Sequence, residues 1–442
     1  MVFLPSNYKN IIRLALPIIL ANASAPLLGL ADTAAIGQTG DATDLGGIAL
    51  ATLVFSFVYW GFGFLRMGTT GFVSQAWGAN DDRQVLAILY RSILLAIVIG
   101  ALLILLQGLI IQLAVGWMSA SEEIIALVKD YFYIRIWGAP ATLMTYALLG
   151  GFIGLGKTKE LLWVQLLLNG VNIGLNILFV VGFYMGVKGI ALGTVMAEYV
   201  ALIFAWLLLA NRLAINNPIQ QIKLLWTEII DRLKVLSMFK LNADIMIRTF
   251  VLLAGFAWFA DKGAQIDDTV LAANHVLLQF ISLSAFFLDG FAYVVEMLSG
   301  RAIGQNNKRE FIRQLKDSSV IAGVTALFLG LGIIVLGPYF VPLLTQDVNV
   351  QIVANDHLLF AGIYIMFSFV AFQLDGVFIG ATQSREMRNS TIFALIIFVL
   401  ATYVLMKKFN NNGLWIAFII YVIARGIALG IYLPKILKVK FK

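Results

Sequence analysis

The sequence of 442 residues has no cysteine, two histidines and few charged residues, which make up 12% of the chain. The lack of cysteine excludes thiol catalysis and cysteine-ligated metal sites. His275 and His357 are isolated, so a metal-dependent enzyme with a histidine ligand cluster is not expected. Scarce charge together with 61% hydrophobic residues lies far outside the composition of a soluble domain. The chain is therefore expected to be a polytopic membrane protein.

Long charge-free windows alternate with short polar breaks along the whole chain. A helix needs about 20 residues to cross a bilayer, and twelve segments meet that length. These predicted spans lie near residues 10–38, 46–76, 87–116, 124–155, 161–183, 188–211, 237–260, 269–300, 312–340, 351–380, 388–407 and 413–435. The opening segment lacks the features of a signal peptide and is expected to be retained. The predicted fold is an all-α integral membrane protein with twelve transmembrane helices.

Basic and acidic residues occupy alternate connections between these spans. The net charge is +7, and the basic residues gather near 157–159, 212–234, 301–316, 385–388 and 435–442. Acidic residues dominate the intervening loops, with Lys407 and Lys408 as the exception. This positive-inside pattern predicts an inner-membrane protein with both termini in the cytoplasm. The basic charge then contacts lipid headgroups, and nucleic acid is not an expected partner.

The chain contains an internal repeat. Residues 74–84 (SQAWGANDDRQ) align with residues 300–310 (GRAIGQNNKRE), and the same shift of 226 aligns 150–160 with 376–386. The repeat covers six spans, so its two copies are expected to be related by an axis along the membrane normal. We predict two six-helix lobes, 1–211 and 237–442. The connection 212–236 carries a helical apolar stripe and is interpreted as a cytoplasmic amphipathic helix, with a solvated linker as the alternative.

An aspartate stands inside the first predicted span. Asp32 follows eighteen uncharged residues, 14–31. A carboxylate in hydrocarbon is costly, so such a group is expected to face a cavity and to serve a function. At 1.5 Å per residue, Asp32 lies about 10 Å inside the outer face. Pro26, six residues earlier, weakens the helix and is expected to act as a hinge.

The fifth and sixth spans add polar residues at helical spacing. Asn169, Asn172 and Asn176 share one face of the fifth span, and Thr194 and Glu198 share one face of the sixth. Turning these faces and the first span toward one cavity would satisfy all the polar groups. Hydrogen bonds that merely join helices are the structural alternative.

The second lobe carries a separate set of charged residues. Asp244 and Arg248 are four residues apart and are interpreted as a structural ion pair. Asp289, Glu296 and Asp375 form a second ion site, a buried network around Arg248, or a water-lined surface, and the sequence leaves these three open. Residues 151–158 (GFIGLGKT) fit the phosphate-loop pattern, but they end a predicted span without a preceding strand, so nucleotide binding is not expected.

Four motifs resemble those of a known family. They are 26–37 (PLLGLADTAAIG), 66–71 (RMGTTG), 288–293 (LDGFAY) and 374–382 (LDGVFIGAT). Together they resemble the DinF branch of the multidrug and toxic compound extrusion transporters over almost the whole chain. The resemblance implies a V-shaped pair of six-helix lobes, cation-coupled antiport of organic cations and alternating access. By resemblance, Asp32 matches the first-helix carboxylate, Asn172 and Asn176 the fifth-helix polar pair, and Thr194 the sixth-helix hydroxyl.

One departure from the family bears on the coupling ion. Several relatives have an aspartate where this chain has Asn176, and a site with one fewer carboxylate binds sodium less readily. We therefore expect proton coupling through Asp32 and leave sodium open at Asp32, Asn172, Asn176 and Thr194. The expected protein is a monomeric multidrug efflux antiporter for small aromatic cations, without a cofactor. Flipping of a lipid or lipid-linked precursor is the alternative, and a membrane-embedded enzyme is not expected.

Overall fold

The computed structural model describes residues 6–39, 42–116, 118 and 120–441. At residues 6, 25, 27–28, 30–35, 37–39 and 42 the backbone alone is described, so the side chain of Asp32 lies outside the described part. The described secondary structure is entirely helical. The helices are α1 (Ser6–Thr39), α2 (Ala42–Gly61), α3 (Phe64–Gly78), α4 (Asp82–Leu105), α5 (Gln107–Gly116), α6 (Glu122–Arg135), α7 (Ala139–Gly154), α8 (Thr158–Asn176), α9 (Gly186–Arg212), α10 (Pro218–Ile229), α11 (Arg232–Ala264), α12 (Asp268–Gly304), α13 (Lys308–Leu344), α14 (Val348–Gly380) and α15 (Ser384–Lys440).

Each predicted span falls on one helix or on two consecutive helices. Ten described helical segments are long and apolar enough to cross a membrane, and α1 adds a helix of 34 residues. At 57 residues, α15 is too long for a single crossing. It is broken at Asn410, where φ is 51° and ψ is −127°, and the backbone of Gly413 lies against that of Leu405. The chain therefore reverses there, and α15 supplies two spans, which confirms the all-helical architecture.

The turns between helices repeat with the predicted shift of 226 residues. Left-handed backbone conformations occur in three pairs at this spacing: Asn80 with Asn306, Gly156 with Thr382, and Tyr184 with Asn410. The helix that follows the first pair is capped in the same way in both copies. Asp81 Oδ1 accepts a hydrogen bond from the amide of Gln84 (2.9 Å), and Asn307 Oδ1 accepts one from the amide of Glu310 (3.0 Å). Turn geometry thus supports the repeat.

The contacts divide the chain into two compact units. The amino-terminal unit comprises Leu20–Val73 and Asp81–Met238; the carboxy-terminal unit comprises the described residues up to Ile19, Ser74–Asn80, and the chain from Phe239 onward. The first has an apolar core in which Phe55 packs against Phe132 (centroids 5.2 Å apart). In the second, Phe418 stacks on Tyr364 at 4.4 Å. The lobe limits 1–211 and 237–442 stay a prediction.

The predicted linker contains α10, which packs on α4. Asn217 caps α10 by accepting from the amide of Gln220 (3.0 Å), and Pro218 opens the helix. Leu225 and Ile229 are buried in a small core with α4. The position of α10 at the membrane surface stays a prediction.

The end of α10 is fixed by an arginine from α4. Arg91 donates to the carbonyl oxygens of Glu228 (2.6 Å) and Ile229 (3.0 Å). A cation at a helix C-terminus satisfies carbonyl groups that have no partner within the helix. This contact holds the connecting segment against the amino-terminal unit.

Candidate functional site

Three of the predicted site residues form one hydrogen-bonded network between α8 and α9. Asn176 Nδ2 donates to Asn172 Oδ1 (2.9 Å), and Asn172 Nδ2 donates to the hydroxyl of Thr194 (2.9 Å). The Thr194 hydroxyl donates in turn to the carbonyl oxygen of Ile190 (2.8 Å). All three side chains are buried, at 0%, 1% and 7% exposure for Asn172, Asn176 and Thr194. The structure therefore brings together the amide and hydroxyl groups that the spacing placed on facing helices.

Local backbone features let α8 and α9 approach at this network. A Cβ atom added to Gly193 would overlap the side-chain oxygen of Asn176, so glycine is needed for the contact. Directly after Asn176 the chain forms a π-helical turn, Ile177–Gly182. Such turns are frequent at functional sites because they shift the side chains that follow.

A second set of hydrogen bonds joins the same face of α8 to α1. Asn169 Nδ2 donates to the hydroxyl (2.9 Å) and to the carbonyl oxygen (3.1 Å) of Ser24. Gln165 Nε2 donates to Asn169 Oδ1 (3.1 Å) and completes the bonding of that amide. Pro26 lies two residues beyond Ser24 and is exposed. The predicted approach of the first, fifth and sixth spans is thus present in the amino-terminal unit.

Glu198, which was predicted to join this network, lies instead in a buried ion pair. Both of its carboxylate oxygens accept from Arg135 of α6, with Nη1 at 2.7 Å from Oε2. The guanidinium also lies over the rings of Phe55 (5.2 Å) and Tyr59 (5.3 Å). A Cβ atom at Gly138 would overlap the carboxylate, so the backbone after α6 is shaped around this pair. The pair is charge-balanced and joins α6 to α9.

The carboxy-terminal unit contains a charged cluster centred on Asp375. Its Oδ2 accepts from Arg248 and lies 3.4 Å from Nη2 of Arg425. All three side chains are nearly inaccessible, with at most 10% exposure. Of the three alternatives for Asp375, this geometry favours the buried network around Arg248. Glu296 is buried and Asp289 is half-buried on α12.

The predicted pairing of Asp244 with Arg248 is wrong. Asp244 accepts from Arg388 (2.5 Å) and from the hydroxyl of Ser384 (3.1 Å), both on α15. Arg248 pairs with Asp375 on α14 instead. Spacing of four residues allows a pair on one helix, but residues from other helices provide partners that are better placed here.

Sequence reasoning missed several residues that complete these sites, among them Ser24, Arg135 and Arg388. A cation inside a predicted span was the available signal for Arg135, since an arginine in an apolar span needs an anionic partner. Ser24 and Arg388 had no comparable signal, because serines are common in membrane helices and Arg388 stands at the predicted edge of its span.

The chemistry of the amino-terminal network is that of neutral groups. Amides and a hydroxyl orient hydrogen bonds, but they do not gain or lose a proton near neutral pH. Asp32 is the acid that the sequence places in the adjoining helix, α1. Among the described residues, Asn172, Asn176 and Thr194 form an oriented polar site.

Comparison with known proteins identifies the family. The MatE family model matches residues 17–178 and 263–404. DNA damage-inducible protein F of Escherichia coli is 34% identical over 430 residues, which cover 97% of this chain and 92% of that protein. Multidrug resistance protein NorM of Vibrio vulnificus is 26% identical over 440 residues, 96% of this chain and 94% of that protein.

Solved structures agree with this at the level of the fold. A MATE transporter in the bent conformation superposes with a TM-score of 0.87 at 18% identity, covering 99% of this chain and 98% of that chain. A MOP-superfamily transporter from Pyrococcus furiosus gives a TM-score of 0.84 at 17% identity, covering 99% and 97%; for that protein, reversed polarity of the binding pocket suggests a different function. The shared fold alone therefore does not fix the cargo. On its sequence, this multi-pass membrane protein belongs to the MatE family of multidrug and toxic compound extrusion transporters.

Proposed function

We propose that this protein exports small organic cations in exchange for protons by alternating access. Asp32 is the proton-binding group, and Asn172, Asn176 and Thr194 orient the site next to it. The protein acts as a monomer in the inner membrane with both termini in the cytoplasm. The observation that carries the proposal is the continuous hydrogen-bonded network from Asn176 to Thr194, in the unit whose first helix holds Asp32.

Helix register supports a position for Asp32 near this network. Ser24 of α1 is bonded to Asn169 of α8, and these helices are the first and fifth spans, which run in the same direction. Asp32 is eight residues beyond Ser24, and Asn176 is seven residues beyond Asn169. At 1.5 Å per residue, both positions lie about 10–12 Å further along their helices. A straight α1 would put the backbone at Asp32 at the depth of Asn176.

The composition of the site favours a proton over sodium. Sodium is held by several oxygen ligands, and carboxylates supply the charge that offsets the loss of its hydration shell. The network offers amide and hydroxyl oxygens, some of which already accept hydrogen bonds. A single carboxylate with neutral neighbours is sufficient to take up and release a proton.

In the mechanism, cargo and proton compete for Asp32. An apolar setting favours the neutral form of a carboxyl group, so protonation from the acidic outside is favourable. Protonation removes the negative charge that holds an organic cation, and the cation leaves. The first helix then bends near Pro26, where the proline weakens the helix. Release of the proton to the cytoplasm restores the charge and allows another cation to bind.

Multidrug export is also supported by the relatives, because NorM proteins are named for multidrug resistance. The test is transport of a fluorescent organic cation by the purified protein in vesicles, with pH and sodium gradients imposed separately. We expect the pH gradient alone to drive transport. Equal transport with the sodium gradient alone contradicts proton coupling. Movement of a labelled lipid, with no cation transport under either gradient, favours the flipping alternative.

A further inference from the structure

Four polar side chains form a chain of hydrogen bonds where α15 reverses direction. Trp415 Nε1 donates to Asn274 Oδ1 (2.9 Å), and Asn274 Nδ2 donates to Asn411 Oδ1 (2.9 Å). Asn411 Nδ2 lies 3.0 Å from His357 Nε2, and His357 Nδ1 lies 2.7 Å from the carbonyl oxygen of Val353. The four side chains are at most 9% exposed. They join α12, α14 and the second half of α15 within the carboxy-terminal unit.

The direction of every bond in this chain is fixed by its two ends. An indole N–H can only donate, and a backbone carbonyl can only accept. Trp415 therefore requires the oxygen of Asn274 to face it, which directs the nitrogen of Asn274 toward Asn411. Asn411 Nδ2 is then the donor to His357 Nε2, while also bonding Asn274 Oδ1 at 3.2 Å. His357 must be neutral, with its proton on Nδ1.

Protonation of His357 makes two hydrogen-bond donors face each other, and no rotation of the two amides in this series of hydrogen bonds removes the conflict. The imidazolium carries N–H groups at both positions, so Nε2–H would face the Nδ2 donor of Asn411. Rotation of the Asn411 amide moves the conflict to Asn274, because two NH₂ groups then face each other. Rotation of the Asn274 amide then moves the conflict to Trp415, because the indole N–H can only donate and would face an NH₂ group. The contacts must therefore open.

Opening acts directly on the helix reversal. Asn411 follows Asn410, the residue whose left-handed conformation breaks α15. The hydrogen bonds of Asn411 hold the start of the last span against α12 and α14. Trp415 anchors the other end by packing on Phe259 at 4.9 Å. Loss of the His357 contact removes one of the two hydrogen-bond partners of Asn411 Nδ2, the other being Asn274 Oδ1.

Charged groups at this end of the unit are on the surface. On the helices and turns packed against His357, the titratable or charged residues exposed at this end are Asp261, Asp267, Asp268, His275, Tyr339, Asp347, Asp356, Tyr403, Lys407 and Lys408. Lys262 is half-buried and lies over the ring of Trp258 at 4.5 Å. Among the described residues, the contacts of the His357 nitrogens are thus the neutral groups of Asn411 and Val353.

We propose that His357 is an acid-sensitive proton-binding site that holds the α15 reversal closed when neutral and opens it when protonated. The proposal goes beyond cation export and does not depend on it. In the predicted orientation this end faces the outside, so acid there would loosen the connection between the last two spans. Of the four side chains, the imidazole of His357 is the one that can gain a proton on a ring nitrogen.

The test is hydrogen–deuterium exchange of the purified full chain in detergent, at neutral pH and at about pH 5, corrected for the intrinsic rate. We expect exchange across residues 405–415 to rise about tenfold in acid, which matches one unmade buried hydrogen bond. His357→Gln should abolish the acid response. The matched control is His275→Gln, which removes the exposed histidine bonded to Gln279 and should respond like the wild type.

Two further variants test the donor and acceptor directions of these hydrogen bonds. Trp415→Phe keeps an aromatic ring but removes the N–H that fixes the amide of Asn274. The amides of Asn274 and Asn411 can then rotate, so that Asn411 accepts a hydrogen bond from the imidazolium. We expect exchange in this variant to rise less in acid than in the wild type. Asn411→Asp supplies an acceptor to the imidazolium, so acid should slow exchange, and this variant replaces His357→Gln if that one fails to fold. An unchanged wild type in acid, or an equal response in His357→Gln, overturns the proposal. A full wild-type response in Trp415→Phe or Asn411→Asp does so as well.

Discussion

The two halves of the chain share their turns but differ in their buried polar chemistry. Asn80 and Asn306 adopt the same left-handed turn at a spacing of 226 residues. At the same spacing, Asn172 of the amide network corresponds to Phe398. The carboxylate of the charged cluster, Asp375, corresponds to Leu149. The left-handed turn thus recurs in both halves, whereas Asn172 and Asp375 of the two buried polar sites have apolar counterparts.

This difference separates the residues expected to stabilise the fold from those proposed to act in transport. In the amino-terminal unit the network of Asn172, Asn176 and Thr194 consists of neutral groups, and the buried pair of Arg135 and Glu198 is separate from it. The carboxy-terminal unit buries Asp375 between two arginines, an arrangement that is costly to disturb. We therefore expect variants of the charged cluster to affect folding most, and variants of the amide network to affect transport more than folding.

The largest effect is expected from Asp375→Asn. The change leaves Arg248 and Arg425 buried without their shared anion, which should cost about 3–5 kcal/mol of stability. Thermal unfolding of the purified protein in detergent measures this loss. The control is Asp356→Asn on the same helix, where the acid is exposed and the expected change is within about 0.5 kcal/mol. Equal stability of the two variants would mean that the charged cluster is not a structural element.

A second comparison uses two ion pairs that join the same helices, α6 and α9. Arg135 and Glu198 form the buried pair, while Lys188 and Asp130 form a pair at 3.1 Å that is about half exposed. Arg135→Met should cost about 3 kcal/mol, because it strands a buried carboxylate. Lys188→Met should cost less than about 1 kcal/mol, because water screens that pair. Similar unfolding temperatures for both variants would contradict the assigned burial.

An intermediate effect is expected from Asn172→Leu in the amide network. The change removes the partner of both Asn176 and Thr194 and should cost about 1–2 kcal/mol. Transport should fall much further than stability, since the site loses its orientation. Gln165→Leu on the same helix breaks a single bond to Asn169 and serves as the control. Full transport by Asn172→Leu would remove the network from the mechanism.

The smallest effects are expected at two glycines. Gly193→Ala places a methyl group against the side-chain amide of Asn176 and should cost about 1 kcal/mol, because the amide is the end of a side chain and can shift. Gly170→Ala on α8 meets no atom within 4 Å and should stabilise the helix by up to about 1 kcal/mol. Thermal unfolding measures this contrast, and we expect Gly193→Ala to lower the unfolding temperature and Gly170→Ala to raise it. A stabilising Gly193→Ala would show that the contact between α8 and α9 is loose.

Much of the fold was predictable from local pattern. Charge-free length placed the twelve spans, and the matched segments at a shift of 226 anticipated turns that the structure repeats. Helical spacing also placed Asn172, Asn176 and Thr194 together, because their partners lie on neighbouring helices that the chain brings side by side.

The ion pairs were not predictable in this way. Glu198 and Arg135 are 63 residues apart in the sequence, and Arg248 and Asp375 are 127 apart. Spacing along one helix carries no information about such partners, and it led to the wrong pairing of Asp244 with Arg248. Pairing across helices depends on packing, which is set by the whole unit.

In the proposed mechanism, Asp32 exchanges a proton for a cationic cargo. Export of a fluorescent cation driven by a pH gradient in vesicles, compared between wild type, Asp32→Asn and the exposed-acid control Asp356→Asn, tests it most directly. We predict that Asp32→Asn lowers export to the level of empty vesicles, while Asp356→Asn matches the wild type. Full gradient-driven export by Asp32→Asn would contradict the account.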